Sequence, residues 1–204
     1  MLLEINPDNP DQRKIEKVTD ILEKGGIIIY PTDTIYGLGC DIFNQKAVQR
    51  LCRLRQLNPA KANLTFICKD ISQLATYAHQ LDNAVFKLLK RNLPGAFTFI
   101  LKASSQLPKL LKNKRKTIGI RIPDNQIALA IIEALGRPIL SISLKEDDEI
   151  VQYLTDPTEM HDEYFKLVDC VIDGGFGGNE PSTVVDCTGD EPQVIRQGFG
   201  DLNG

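Results

Sequence analysis

Gly25-Gly-Ile-Ile-Ile-Tyr-Pro-Thr-Asp-Thr-Ile-Tyr-Gly-Leu-Gly39 is the stretch of this sequence that decides its fold. Its three consecutive isoleucines, residues 27–29, are β-branched, and such an unbroken row predicts a strand buried on both faces. Pro31 lacks the N–H that a sheet ladder needs, so the strand ends at Tyr30. The polar side chains that follow stand at the carboxyl end of this strand, where open α/β sheets bind their ligands.

The residues after that strand predict a binding loop. Thr32, Asp33 and Thr34 supply three hydrogen-bonding side chains in a row. Gly37 and Gly39 then allow a tight turn or a close approach to a ligand. The alternative is a plain polar turn that leads to the next element. We favour the binding loop because later segments of the chain repeat its chemistry.

The rest of the chain alternates short apolar strands with amphipathic helices. We expect strands over 2–5, 27–30, 64–68, 97–101, 117–122, 139–142, 168–172, 183–186 and 193–196. We expect helices over 10–24, 44–55, 83–90, 127–135 and 158–165. This interleaving predicts the α/β class with some α+β character: one twisted, mixed parallel and antiparallel sheet with helices packed over it. A length of 204 residues fits a single domain over 1–204.

Composition excludes several classes of protein. Hydrophobic residues make up 42% of the chain, which is enough for a full core and excludes overall disorder. No apolar run is long enough to span a membrane, and the first residues do not resemble a signal peptide. The five cysteines show no C-x-x-C spacing, and neither histidine has a partner at ligand spacing. We therefore expect a cytoplasmic protein with reduced cysteines and no metal site.

Charge is distributed unevenly, although the formal net charge is only −3. A basic cluster predicts contact with a nucleic-acid backbone, with a solvated surface segment as the alternative. Its members are Lys109, Lys112, Lys114, Arg115 and Lys116. An acidic run follows at 146–149, which would either recruit a cation such as Mg²⁺ or form a solvated loop.

Two arginines stand where an anion could reach them. Arg55 ends the second long helix, where a cation is stabilised by the helix dipole or projects into a cleft. Arg121 lies inside an apolar strand, so it needs an anion or several acceptors. A structural carboxylate would satisfy Arg121, and so would a phosphate, which the planar guanidinium can contact twice.

Hydroxyl groups recur near other strand ends. Ser141 and Ser143 share one face of a strand, where they bind either a ligand or the backbone. Ser182 and Thr183 follow the loop Gly174-Gly-Phe-Gly-Gly178, which is neither a Walker A nor a Rossmann motif. No Ser-His-Asp triad stands out. The sequence therefore predicts electrostatic binding and orientation of an anionic ligand rather than covalent catalysis.

Five motifs in a fixed order resemble those of the YrdC-like family, and most closely its YciO branch. They are Gly25 to Gly39 as quoted above, Ile120-Arg-Ile-Pro123, Ser141-Ile-Ser143, Pro181-Ser-Thr-Val-Val-Asp186 and Val194-Ile-Arg-Gln-Gly198. The resemblance covers nearly the whole chain. It implies the YrdC/RibB-like fold, a twisted mixed sheet around a concave basic cavity.

The resemblance also implies a chemistry. The better-understood members are threonylcarbamoyl-AMP synthases, which join L-threonine, bicarbonate and ATP, and their product modifies a tRNA adenosine beside the anticodon. Members are also described as binding double-stranded RNA. The partners implied are tRNA or double-stranded RNA, an adenine nucleotide (ATP or AMP, with Mg²⁺) and an L-threonine moiety. The substrate-binding residues implied are Thr32, Thr34, Arg55, Arg121, Ser141, Ser143, Ser182, Thr183 and Arg196.

Two departures from the synthase pattern bear on activity. The synthases carry Lys-x-Arg where this chain has Arg55-Gln-Leu57, so one cation changes in kind and the other is lost. Ser143 replaces an asparagine, and a hydroxyl cannot bridge the same pair of groups as an amide. Together these changes remove roughly 2–5 kcal/mol of binding free energy if each lost contact is charge-assisted.

Three functions remain open on this sequence. The first is a cavity protein that removes or transfers the threonylcarbamoyl group of tRNA. Asp33 and Asp186 are its candidate proton acceptors, although a structural role is favoured for each. The next is an RNA-binding protein without turnover. The last is a synthase with a degenerate motif. We rank them in that order.

Overall fold

Ten strands form one mixed sheet in the computed structural model, which describes residues 1–58, 64–108, 111, 116–144 and 154–202. In chain order they are β1 (Leu2–Glu4), β2 (Ile28–Tyr30), β3 (Gly37–Asp41), β4 (Thr65–Ile67), β5 (Phe97–Lys102), β6 (Thr117–Arg121), β7 (Ile139–Ser143), β8 (Cys170–Asp173), β9 (Thr183–Asp186) and β10 (Gln193–Arg196). Their spatial order is β1-β8-β2-β3-β7-β4-β6-β5-β9-β10. Parallel and antiparallel pairs both occur, which confirms the predicted fold class.

Six helices pack against this sheet within the described ranges. They are α1 (Gln12–Glu23), α2 (Gln45–Leu54), α3 (Ile71–Tyr77), α4 (Asn83–Asn92), α5 (Gln126–Leu135) and α6 (Pro157–Tyr164). Each begins after an Asp or Asn whose side chain accepts a backbone N–H of the first turn. None of them is both long and apolar enough to cross a membrane.

The two faces of the sheet are covered differently. One face carries Phe66, Phe99 and Leu140, which are buried in a core shared with α2, α3, α4 and α6. The opposite face carries Ile28 and Ile139, which are buried in a second core shared with α1 and α5. Because side chains alternate along a strand, every second residue of β4 to β7 lies on this second face. Some of these residues lie outside the second core, and α1 and α5 do not cover them.

Gly37 and Gly39 lie in a strand, so their assignment to a loop was wrong. β3 begins at Gly37 and pairs antiparallel with both β2 and β7. The reason is tertiary: a Cβ on Gly37 would lie 3.0 Å from the Tyr30 ring, and one on Gly39 would lie 2.8 Å from it. The loop between β2 and β3 is therefore only residues 31–36.

Candidate ligand-binding cavity

A cavity of about 390 Å³ opens on the part of the sheet that α1 and α5 leave uncovered. Its floor is built from small or hydroxyl-bearing residues on the same face of five adjacent strands: Gly37, Thr65, Thr98, Gly119, Ser141 and Ser143. Its walls come from the loop 31–36 and from the residues around β9 and β10: Thr32, Ile35, Tyr36, Pro181, Ser182, Ile195 and Arg196. The remote motifs of the sequence thus meet around one space.

The loop 31–36 is held in shape by its own threonines. Thr32 Oγ1 donates to the carbonyl oxygen of Ile35 at 2.7 Å and accepts the backbone N–H of Thr34 at 3.1 Å. Thr32 lines the cavity, whereas Thr34 is buried and is not among the lining residues. The Thr34 carbonyl oxygen accepts the N–H of Gly178 at 2.7 Å, which ties the glycine-rich loop to this wall.

Arg121 connects this loop to the middle of the sheet. Its Nη2 donates to Asp33 Oδ1 at 2.5 Å, and the two side chains are 7% and 13% exposed. Its Nε is buried and has no hydrogen-bond partner in the described part of the chain. Arg121 therefore has the structural carboxylate that the sequence allowed for, and the residue also lines the cavity.

Two of the floor residues are the serines of β7. Ser141 and Ser143 both line the cavity, as their spacing predicted. The Tyr30 hydroxyl donates to Ser141 Oγ at 2.7 Å, and Tyr30 belongs to the second core on the same face of the sheet. Burial raises the pKa of Tyr30 to about 12, so this phenol stays protonated at neutral pH.

The far wall is formed by the residues just before β9 and by β10. Ser182 Oγ lies 2.8 Å from Thr98 Oγ1, and both residues line the cavity. Arg196 lines it as well, and its Nη2 donates to the Ser182 carbonyl oxygen at 2.8 Å. Thr183 is fully buried instead: its Oγ1 donates to the Gly200 carbonyl oxygen at 2.6 Å and holds the C-terminal segment.

Arg55 and Lys116, among the predicted site residues, are not in the described lining of the cavity. Arg55 caps the C-terminus of α2, and its Nη1 donates to the Leu144 carbonyl oxygen at 2.5 Å, so it is not among the lining residues. Lys116 is exposed and directly precedes Thr117, which lines the cavity. The other members of the basic cluster, Lys109, Lys112, Lys114 and Arg115, lie outside the described residues, and so does the acidic run 146–149.

The cavity suits an anion better than it suits acid–base chemistry. Its described lining contains Arg121 and Arg196 and no carboxylate or histidine. Asp33 is committed to Arg121, and Asp186 Oδ1 accepts from both the N–H and the hydroxyl of Thr188. Within the described ranges, no three His, Cys, Asp or Glu side chains come together as metal ligands would.

Several floor residues were not predicted from the sequence as site residues. Thr65, Thr98 and Gly119 were not singled out as site residues, yet they form the centre of the floor. The signal was present in their alternation: each is a small or polar residue between two larger apolar neighbours of a strand. The sequence alone does not predict which face of each strand the helices leave uncovered, because that depends on where the helices pack.

The fold and the cavity together define a class: a mixed-sheet protein with a cavity lined by hydroxyl groups and two arginines. The profile of the Sua5/YciO/YrdC family, described as "Telomere recombination", matches residues 20–198. The chain is 50% identical over 200 residues to YciO of Escherichia coli K12, which covers 97% of this chain and 95% of the relative. The crystal structure of E. coli YciO matches with a TM-score of 0.92 at 48% identity, over 99% of this chain and 97% of that one. The chain belongs to this family, which confirms the resemblance noted in its motifs.

The chain is also related to threonylcarbamoyl-AMP synthases. It is 30% identical over 182 residues to the threonylcarbamoyl-AMP synthase of Pseudoalteromonas translucida, over 86% of this chain and 94% of the relative. The crystal structure of Pyrococcus abyssi Sua5 complexed with L-threonine matches with a TM-score of 0.87 at 28% identity. That match covers 97% of this chain but only 57% of Sua5, which is the longer protein.

Proposed function

We propose that the cavity binds the threonylcarbamoyl-adenosine unit of a tRNA and that the protein removes the threonylcarbamoyl group. One observation carries this proposal: a single cavity collects most of the hydroxyls and arginines that the motifs supply. They are Thr32, Arg121, Ser141, Ser143, Ser182 and Arg196.

Each part of this ligand has a matching part of the cavity. Thr32, on the preorganised loop 31–36, would contact the threonine moiety, and the complex of P. abyssi Sua5 with L-threonine supports a site of this kind. The threonine carboxylate and the flanking phosphate are anions, which Arg121 and Arg196 would bind. Ser141 and Ser143 on the flat floor would hydrogen-bond to the nucleoside.

The charge of the cavity favours a nucleoside unit of tRNA over free ATP. A triphosphate brings several negative charges into the site, and the cations that bind it must offset them. The described lining holds two arginines, and Asp33 already offsets the charge of Arg121. Arg55 is engaged with Leu144 instead of lining the cavity. We therefore place the synthase reaction last among the candidate functions.

Removal of the group is a hydrolysis. Water adds to the carbamoyl carbon, the bond from that carbon to N6 of adenosine breaks, and N6 takes up a proton. The carbamate that leaves loses CO₂ and yields threonine. The arginine guanidinium and serine hydroxyl groups of the cavity would stabilise the negative charge that develops on the carbamoyl oxygen. Hydrolysis consumes no ATP, so we expect turnover without it.

Binding of tRNA or double-stranded RNA without turnover is the second candidate. It is favoured by the described lining, which offers no carboxylate or histidine as a general base. The basic residues around Lys116 would contribute backbone contacts, so affinity would fall steeply with salt. We place either activity in the cytoplasm, a location that the five unpaired cysteines support.

Incubation with modified tRNA tests the two candidates. The protein is mixed with tRNA that carries threonylcarbamoyl-adenosine, without ATP, and the nucleosides are then quantified by mass spectrometry. Hydrolysis predicts loss of the modified nucleoside, a matching gain of adenosine and release of threonine. Arg121→Met should abolish this loss, whereas Arg50→Met, which removes a cation distant from the cavity lining, should not. Unchanged tRNA at high protein concentration would refute the hydrolysis.

A further inference from the structure

A buried tyrosine contacts one of the hydroxyl groups of the cavity floor. Tyr30 has no exposed surface, and its hydroxyl donates to Ser141 Oγ at 2.7 Å. We propose that Tyr30 is a positioning residue that fixes Ser141 as a hydrogen-bond donor toward the bound ligand. This inference rests on the proposed function only in taking the same cavity as the binding site.

Tyr30 reaches Ser141 across an intervening strand. Tyr30 lies on β2 and Ser141 on β7, and β3 runs between these strands in the sheet. β3 carries glycine at the two positions that the ring passes. A Cβ on Gly37 would lie 3.0 Å from ring carbons Cε1 and Cζ, and one on Gly39 would lie 2.8 Å from Cε1. The glycines of the deciding stretch thus leave a path for this one side chain.

The direction of the hydrogen bond determines what Ser141 can do. A serine hydroxyl has one proton to donate and two lone pairs that accept. Tyr30 donates to one lone pair, and no other hydrogen bond to this hydroxyl is found in the described part of the chain. Ser141 is 6% exposed, and it lines the cavity. Its own proton is therefore available to an acceptor atom of the ligand.

The tyrosine keeps this role over the whole physiological pH range. Burial raises the pKa of Tyr30 to about 12, so its hydroxyl remains a donor. A donor that supplies a proton to Ser141 also polarises the serine hydroxyl and strengthens the bond that it makes in turn. Ser141 should therefore donate its proton to a carbonyl, carboxylate or phosphate oxygen, or to a ring nitrogen, of the ligand.

The Ser182 hydroxyl provides a contrast. It lies 2.8 Å from Thr98 Oγ1, and either hydroxyl can be the donor in that pair. The Ser182 hydroxyl can therefore use its proton either for Thr98 or for the ligand, whereas Ser141 accepts from Tyr30 and keeps its own proton for the ligand.

A double-mutant cycle tests the proposal. The affinity of threonylcarbamoyl-adenosine and of AMP is measured by calorimetry for the wild type, Tyr30→Phe, Ser141→Ala and the double variant. We expect Tyr30→Phe to weaken binding about three- to tenfold, because it removes one hydroxyl and leaves the ring. We expect less than about a twofold further loss when Tyr30→Phe is added to Ser141→Ala, because the tyrosine then has no serine to act through.

The matched control is Tyr77→Phe. Tyr77 is also largely buried, but it lies in the core on the opposite face of the sheet, against Phe66. The Tyr77→Phe variant should bind both probes like the wild type, and thermal unfolding should show that all variants are folded. Full affinity in Tyr30→Phe, or the same fold-loss from this substitution with and without Ser141, would overturn the positioning role alone. A wild-type protein that binds neither probe would overturn the proposed function together with it.

Discussion

The ion pair between Arg121 and Asp33 should determine both the stability and the charge of the cavity. The two side chains are 7% and 13% exposed, so removing one partner leaves a charge with little water around it. Breaking such a buried pair costs about 3–5 kcal/mol of unfolding free energy. For a chain of this size, that loss lowers the melting temperature by about 6–20 °C. We expect this for Arg121→Met, measured by calorimetry or by urea unfolding.

The exposed pair of Arg50 and Asp169 provides the comparison. Its side chains are 38% and 40% exposed, so solvent already screens the two charges. Arg50→Met should therefore cost no more than about 1 kcal/mol. The double variant Arg121→Met with Asp33→Asn removes both charges of the cavity pair. It should regain much of the stability that Arg121→Met loses.

Substitutions of Arg121 and of Asp33 should have different effects on ligand affinity. Arg121→Met should weaken AMP binding at least about tenfold, because a charge-assisted contact is lost, and the double variant should not restore it. Asp33→Asn should bind AMP as well as the wild type or better, because the guanidinium charge is then no longer offset. An affinity in Asp33→Asn as low as in Arg121→Met, or recovery in the double variant, would refute this reasoning.

Three further predictions concern the floor, the pH dependence and the thiols. A Cβ at Gly119 would lie 3.2 Å from Thr65 Oγ1, so Gly119→Val should narrow the floor and weaken AMP binding at least about tenfold in calorimetry. Burial raises the pKa of Tyr30 from 10.0 to about 12, so its contribution to stability is complete below pH 10 and is lost as pH rises toward 12. Urea unfolding of Tyr30→Phe should show a pH slope shallower by about 1.4 kcal/mol per pH unit in that range. Burial also raises the pKa of Cys187 to about 12, and the other four cysteines are buried, so a thiol reagent at pH 7.5 should label the native protein slowly and the urea-unfolded protein at all five cysteines.

Each of these has a control or a contradicting result. Gly189→Val adds the same side chain where a Cβ meets only the Glu191 carbonyl oxygen, at 3.9 Å, and it should leave AMP binding unchanged. Equal pH slopes for the wild type and Tyr30→Phe would mean that Tyr30 ionises normally in the folded protein. Rapid labelling of two or more native thiols would contradict the burial of the cysteines.

The sequence predicted the strands of this fold where their own side chains required burial. The isoleucine row 27–29 predicted β2, and all three side chains are fully buried. Gly37 and Gly39 predicted either a tight turn or a close approach to a ligand, because glycine permits both. They lie in β3 because the ring of Tyr30 occupies the space where their side chains would be. That contact is between residues of two different strands, so the residues next to the glycines in sequence do not predict it.

The candidate site was foreseen in its residue types more than in its arrangement. Arg121 in an apolar strand required an anion, and Ser141 and Ser143 shared a face by simple alternation. The choice of Asp33 as the partner of Arg121 depends on the path of the loop after β2, which reaches across three intervening strands to β6. Thr183 has the same residue type as Thr32, but Thr183 is fully buried whereas Thr32 lines the cavity. Only packing distinguishes the two.

A crystal structure of the protein soaked with threonylcarbamoyl-adenosine tests the central claim most directly. We predict the nucleoside in the hollow on the open face of the sheet. A carboxylate or carbonyl oxygen of the ligand should lie within hydrogen-bond distance of Arg121 and of Ser141 Oγ, and the threonine moiety should lie beside Thr32. Density for the ligand on another surface, or in the hollow without contact to either Arg121 or Ser141, would contradict the account.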